Sequence, residues 1–213
     1  DIEVYGGLDE SSISTNIQII TNDYFNVNGN NNFEDFLQST ASLNYAGGTS
    51  RAKYFQLRGL GELSQFSGEG PPHFYIGYII DNIDFSGIGM IGQLYDMKQI
   101  EIFKGPQSSL YGPNAMAGII NLVSNKPSNI MTFNFNTSLY SKNGQTFNLS
   151  SSIPITRKLL SRITISNNYN DGFIKNVSNE NNIIFDSNSK DEMLLRYQLR
   201  YNANSNFYIN STL

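Results

Sequence analysis

The chain has no cysteine and no tryptophan, a single histidine, six prolines and little charge, with 15% of its 213 residues being Asp, Glu, Lys or Arg. Without cysteine there is no disulfide framework, no zinc–thiolate site and no thiol nucleophile. With His73 as the one histidine, most catalytic constellations and histidine metal sites cannot be assembled. No H-E-x-x-H, P-loop or G-x-S-x-G pattern occurs. Gly87-Ile-Gly-Met-Ile-Gly92 does match G-x-G-x-x-G, but only six residues separate it from a strand expected at Gln99. That is too short for the crossover helix a dinucleotide site requires. The net charge of −4 gives no electrostatic reason to expect nucleic acid as a partner. No apolar run reaches the length of a membrane-spanning helix. The reading is therefore not an enzyme, and no cofactor or resident metal is expected.

Present instead are 13 Tyr, 14 Phe and many Asn, Ser, Thr and Gly, a composition suited to β-structure with wide turns. The first part, to about residue 127, reads as a compact mixed α/β unit. Strands are expected at Ile2–Tyr5, Ile17–Ile20, Phe55–Arg58, Phe74–Ile80, Gln99–Phe103 and Gly118–Ser124. Asn32–Gln38 reads as a short helix, with Phe33, Phe36 and Leu37 on one face and Asn32 as its cap. Ser108–Tyr111 reads as one helical turn. Gly59, Gly61, Gly105 and Gly112 stand where strands turn sharply and positive φ is useful. Asp81 and Asp84 sit beside a strand, where an Asx-turn is favoured over an acid pair.

From about residue 130 the pattern becomes strict alternation. Apolar residues fall on odd numbers: Met131, Phe133 and Phe135, then Phe147 and Leu149, then Ile163 and Ile165, then Met193 and Leu195, then Phe207 and Ile209. The other face carries Asn134, Asn148, Arg162, Thr164, Arg196, Gln198 and Arg200. Full strands of about ten residues match the length that crosses a bilayer at a tilt. An Asn-Gly hairpin is expected at Lys142–Gln145, tight turns at Thr156–Lys158 and Asn202–Ser205, and a long polar loop over 170–190. The period alone also suits a soluble antiparallel sheet such as an adhesin or a binding protein without transport.

Several segments, in this order, resemble the plug of TonB-dependent outer-membrane receptors. They are Asp1–Gly6, Phe33–Leu37, Ser50-Arg51 with Gln56–Gly61, Tyr78–Ile83, and Gln99–Pro106 with Leu110–Gly112. The likeness covers nearly all of residues 1–127. It departs at Lys104, where Arg is usual before Gly-Pro, and Lys lacks the bidentate fork. The resemblance implies an α+β plug domain over 1–127, a small mixed sheet with short helices. Antiparallel transmembrane β-barrel strands would follow over 128–213, the barrel incomplete. It implies a Gram-negative outer-membrane location and energy-coupled uptake of a scarce ligand such as a ferric siderophore. Its partners would be TonB, the extracellular ligand and outer-membrane lipid. Ile2, Glu3, Val4 and Tyr5 would be the strand that TonB pairs with, or alternatively the first plug strand. Arg51, Arg58 and Lys104 would hold the plug in place. Phe66, His73 and Phe74 would touch ligand in apex loops, where His73 can meet a metal chelate. The chain starts at Asp1 rather than Met, so a processed or trimmed N-terminus is the simple expectation.

Overall fold

The computed structural model describes residues 3–4, 8–9, 16–22, 40–46, 54–61, 74–86, 94–108, 112–172, 174, 189–204 and 206–213. The chain divides into two compact units, Asp1–Asn125 and Lys126–Leu213.

In the first unit, β1 (Glu3–Val4) and β2 (Leu8–Asp9) pair antiparallel as a sheet of their own. Next come β3 (Ile17–Thr21), β4 (Leu43–Ala46), β5 (Tyr54–Leu57), β6 (Leu60–Gly61), β7 (Ile76–Ile80), β8 (Ile83–Asp84), β9 (Met97–Phe103) and β10 (Gly118–Ser124). The main sheet has the order β3-β9-β10-β7-β8, with β10 parallel to β7 and the other pairs antiparallel. β10 lies at its centre and is buried at every position but Val123. Its near-continuous apolar run is what a strand covered on both faces requires. On one face Tyr78, Ile100, Ile102, Ile120 and Leu122 form the main core with Leu43, Phe55 and Leu57 of the small β4-β5-β6 sheet. The Phe55 and Tyr78 rings stack with centroids 6.0 Å apart. The other face buries Ile79, Phe103, Ala115 and Ile119. Each Leu, Ile or Phe side chain among these contributes about 1.5–3 kcal/mol on leaving water.

All four glycines expected at sharp turns have positive φ. At Gly61 (φ 141°) a side chain would also strike the Phe55 carbonyl oxygen. Two expectations shift. Arg58 is not the last strand residue but a turn residue at φ 55°, and Phe74 precedes its strand, which begins at Ile76. The helix expected over 32–38 lies outside the described residues. The one helical element with both ends described is a 3-10 turn, Pro113–Ala115. Just before it, the Gly112 amide donates to the Ser108 carbonyl at 3.0 Å; the rest of the turn expected over 108–111 lies outside the described residues. Asn22 and Ser108 are helical where they adjoin residues outside the described set, so the expected short helices are not confirmed among the described residues of this unit, which are mostly strand and turn.

The second unit is an antiparallel meander of β11 (Thr132–Tyr140), β12 (Gly144–Pro154), β13 (Leu159–Asn170), β14 (Lys190–Asn202) and β15 (Tyr208–Thr212), each paired to the next. Register sorts its residues into rows. Phe135, Leu149, Ile165 and Leu195 stand opposite one another across four strands, and so do Asn134, Ser150, Thr164 and Arg196 one step away. Because side chains alternate faces, the first row and the second point to opposite sides.

The β11–β12 turn corrects the expected Asn-Gly centre. Lys142 and Asn143 take the positive φ values (63° and 51°), while Gly144 pairs with Tyr140. The glycine is needed for a different reason: a side chain there would run into the Tyr140 ring. That ring lies over Gly144, and its hydroxyl donates to Asn168 Oδ1 at 2.7 Å. At the other end, Thr156 Oγ1 accepts from the amides of Lys158 and Leu159, and Asn204 Oδ1 from those of Asn206 and Phe207. These bonds fix two tight turns, whereas β13 and β14 are joined by the long segment 171–189.

Candidate functional site

Two of the three expected plug-holding cations come together. β5 ends at Leu57, and the Arg58 amide donates to the Ser42 carbonyl at 2.9 Å. This bond bends the chain so that Arg58 Nη1 reaches the Lys104 carbonyl oxygen at 3.0 Å. Lys104, just past the end of β9, is held by its amide to Asn16 O at 2.8 Å, and its Nζ lies 3.5 Å from Ala41 O. The guanidinium and the ammonium thus flank one seam where β3 begins and β5 and β9 end. Neighbouring backbone carbonyls orient them, with the charged groups exposed. Arg51 lies outside the described residues.

Of the expected ligand residues, Phe66 and His73 lie outside the described residues. Phe74 is half-buried, and its amide donates to Asn114 Oδ1 at 3.4 Å. Asn114 Nδ2 donates in turn to Asp84 Oδ2 at 3.1 Å, and Asp84 Oδ1 accepts from the Ser86 amide at 2.8 Å. Asn114 therefore ties Phe74 and Asp84 to the turn before β10. Burial pushes the Asp84 carboxyl up, but the Ser86 hydroxyl and amide and the Asn114 amide outweigh it and hold its pKa below the ordinary value. The Asx-turn expected of this pair falls on Asp84.

Of the four expected TonB-pairing residues, Glu3 and Val4 form β1, whose described partner is β2; Ile2 and Tyr5 lie outside the described residues.

The second unit carries its polarity reversed relative to a water-soluble sheet. Phe135 is 53% exposed and Leu195 60%, yet Ser150 and Thr164 are 2% and 0% exposed. Asn148, Ser152, Arg162, Ser166, Arg196 and Gln198 are buried with them. Ser166 Oγ, for one, donates to Asn148 Oδ1 on the neighbouring strand at 2.6 Å. Met131, Phe133, Leu139, Met193 and Ile209 extend the exposed apolar face. This exceeds the isolated apolar residues that soluble surfaces tolerate. No helix among the described residues is long and apolar enough to cross a membrane.

Sequence reasoning missed three polar features of the first unit. Glu101, 1% exposed, accepts from Gln99 Nε2 at 2.6 Å and Asn121 Nδ2 at 2.9 Å. Its signal was visible, since polar residues at 99, 101 and 121 interrupt otherwise apolar central strands. Asn114 gave no signal. The bonds from Asp81 and Asp96 to the end of β10 join residues 43 and 29 positions apart, which no local pattern encodes.

Residues 9–119 match the family model described as the TonB-dependent Receptor Plug Domain. Among solved structures, the chain is similar to the ferric yersiniabactin uptake receptor FyuA from Yersinia pestis, at 19% identity and a TM-score of 0.74 over 90% of this chain and 29% of that one. It is also similar to the pyoverdine outer membrane receptor FpvA from Pseudomonas aeruginosa PAO1, at 15% identity and a TM-score of 0.72 over 93% and 27% of the two chains. A third is the siderophore receptor PiuA from Acinetobacter baumannii, at 15% identity and a TM-score of 0.67 over 88% and 24%. The chain thus spans less than a third of the length of these receptors. With more than half of its residues matched by the family model, the chain belongs to the TonB-dependent receptor plug-domain family.

Proposed function

We propose that this chain is the plug and the first barrel strands of a TonB-dependent receptor in a Gram-negative outer membrane, and that the receptor imports a ferric siderophore or a ligand of similar kind. What carries the reading is the second unit's reversed polarity directly after a plug-family unit. An apolar face exposed on β11, β12, β14 and β15, with the half-buried Ile163 and Ile165 of β13 between them, is stable in hydrocarbon and costly in water. The polar face suits the inside of a barrel. The siderophore receptors among the similar structures support the ligand class.

In this reading the first unit closes the lumen. Arg58 and Lys104, with Arg51, are the cations proposed to hold it in place. Ligand meets the apex segments around Phe66, His73 and Phe74. TonB adds a strand to Ile2–Tyr5, because an extended segment gains affinity through main-chain hydrogen bonds. β1 belongs to a two-stranded sheet and not to the five-stranded one, so it can be engaged without breaking the central sheet. The family-matched span also starts after it, at residue 9.

The test is uptake of radio-iron, presented as ferric siderophore, by cells making the full receptor. Uptake that stops when the proton gradient is collapsed, and that Val4→Pro lowers at least tenfold without lowering receptor level, is expected. Proline removes one donor and blocks the added strand. Normal uptake by the proline variant would remove the assignment of TonB to this segment. Uptake indifferent to the gradient would remove the energy-coupled reading altogether.

A further inference from the structure

The last two residues of the first unit are held by two aspartates from two different turns. β7 and β8 are joined by Asp81-Asn82, and both residues have positive φ (49° and 70°). The Asp81 carboxylate accepts from the Ser124 amide at 3.0 Å and also from the Ser124 hydroxyl, while the Asp81 amide donates to Leu122 O at 3.0 Å. Asp96, at φ 62°, stands in the turn leading into β9. Its side chain accepts from Asn125 Nδ2 at 2.9 Å, and its carbonyl from the Asn125 amide at 3.1 Å.

Glycine would occupy positions 81 and 96 without steric cost, whereas an L-residue there is strained. Aspartate adds what glycine lacks, a carboxylate that accepts charge-assisted hydrogen bonds. At Asp81 it takes two donors from the end of a central strand, and at Asp96 one donor from the residue that follows. The β3 edge of the same sheet is built differently: among the described residues β3 pairs on one side, with β9, over five residues.

We infer that Asp81 and Asp96 form a two-turn clamp on Ser124 and Asn125, which keeps the exit of the first unit closed and stops an opening at the β3 edge from spreading to it. The clamp acts whatever ligand the receptor carries.

Hydrogen exchange of the full 213-residue chain in detergent micelles tests this, read at individual amides. The Ser124 and Asn125 amides are expected to exchange more slowly than those of β3. Asp81→Gly and Asp96→Gly relax turn strain while removing a carboxylate. Asp81→Gly takes away the carboxylate that accepts the Ser124 amide and should raise exchange there by about tenfold, the scale of one charge-assisted bond. Asp96→Gly keeps the carbonyl that accepts the Asn125 amide and should raise exchange at Asn125 by a smaller factor, through loss of the Nδ2 bond, with β3 and the far end of β10 unchanged in both. Ser124→Ala removes only the hydroxyl contact, leaves both turns intact and should raise exchange at the exit by a smaller factor. Should the glycine variants fold poorly, the alanine variant decides the matter. Unchanged exchange at 124 and 125 would overturn the clamp, since the turns alone would then hold the exit. A uniform rise across the sheet would overturn it too, since the aspartates would then serve general stability.

Discussion

Gly118 has no room for a side chain. A Cβ there would stand 2.6 Å from a Leu57 methyl and closer still to the Phe103 carbonyl oxygen. Its neighbours cannot yield cheaply, because one is backbone of the adjacent central strand and the other a core leucine that is 1% exposed. Gly59 differs: it has φ 80° and nothing within 4 Å of its added Cβ. Gly118→Ala is therefore expected to cost about 1–3 kcal/mol or more through overpacking. Gly59→Ala should cost about 1–2 kcal/mol through backbone strain alone. Urea titration of each variant in micelles, followed by circular dichroism, should place the Gly118 variant's midpoint lower. A lower midpoint for the Gly59 variant would mean that the sheet repacks around position 118 more easily than these contacts allow. In sequence the two glycines are alike in standing at a strand boundary, Gly118 opening β10 and Gly59 in the turn after β5, and only the packing separates them.

Along a single strand, the exposed face of β14 sets a depth scale. Leu195 lies mid-strand and Asp191 near its start, both odd-numbered and both exposed. If this face meets lipid, Leu195→Arg should destabilise the protein by about 2–4 kcal/mol and Asp191→Arg by about 0–1 kcal/mol, as charge costs most at the midplane. Urea midpoints after insertion into lipid vesicles would measure both. Equal, small effects would argue for a water-facing sheet. That face was legible because an odd-number rule survives along every strand and needs no long-range information. Strand ends and turn centres were less so. The Asn143-Gly144 pair looks like a hairpin centre, but the Tyr140 ring claims the glycine, so the turn falls one residue earlier at Lys142-Asn143. Arg58 reads as the end of a strand until the Ser42 carbonyl captures its amide. Arg58 and Lys104, 46 residues apart, could be named singly, but their meeting through one carbonyl oxygen depends on how β5 and β9 pack. The β4-β5-β6 sheet escaped the sequence reading because Leu43–Ala46 is too short to show a period.

For the molecule as a whole, the apolar face and the two outer strands make opposing demands. β11 and β15 are each paired on one side only among the described residues. The apolar face calls for hydrocarbon, where every unpaired backbone N–H and C=O on those two edges costs several kcal/mol. In water the edges are solvated, but the exposed Phe, Leu and Met side chains are not satisfied. Neither solvent suits the 213 residues alone, whereas a sheet that continues from both edges until it closes suits hydrocarbon fully. The chain by itself should therefore aggregate in water and stay dispersed in detergent. Mixed with lipid vesicles, it should run at one position on gels whether or not it is boiled. A longer receptor containing these strands should run at two positions, because a closed barrel resists detergent until heated. A boiling-dependent shift for the 213 residues alone would mean that they close without further strands, by association of copies or by β11 meeting β15. The reading of an open sheet awaiting more strands would then be wrong, even if the lipid-facing assignment of its odd-numbered side chains survived.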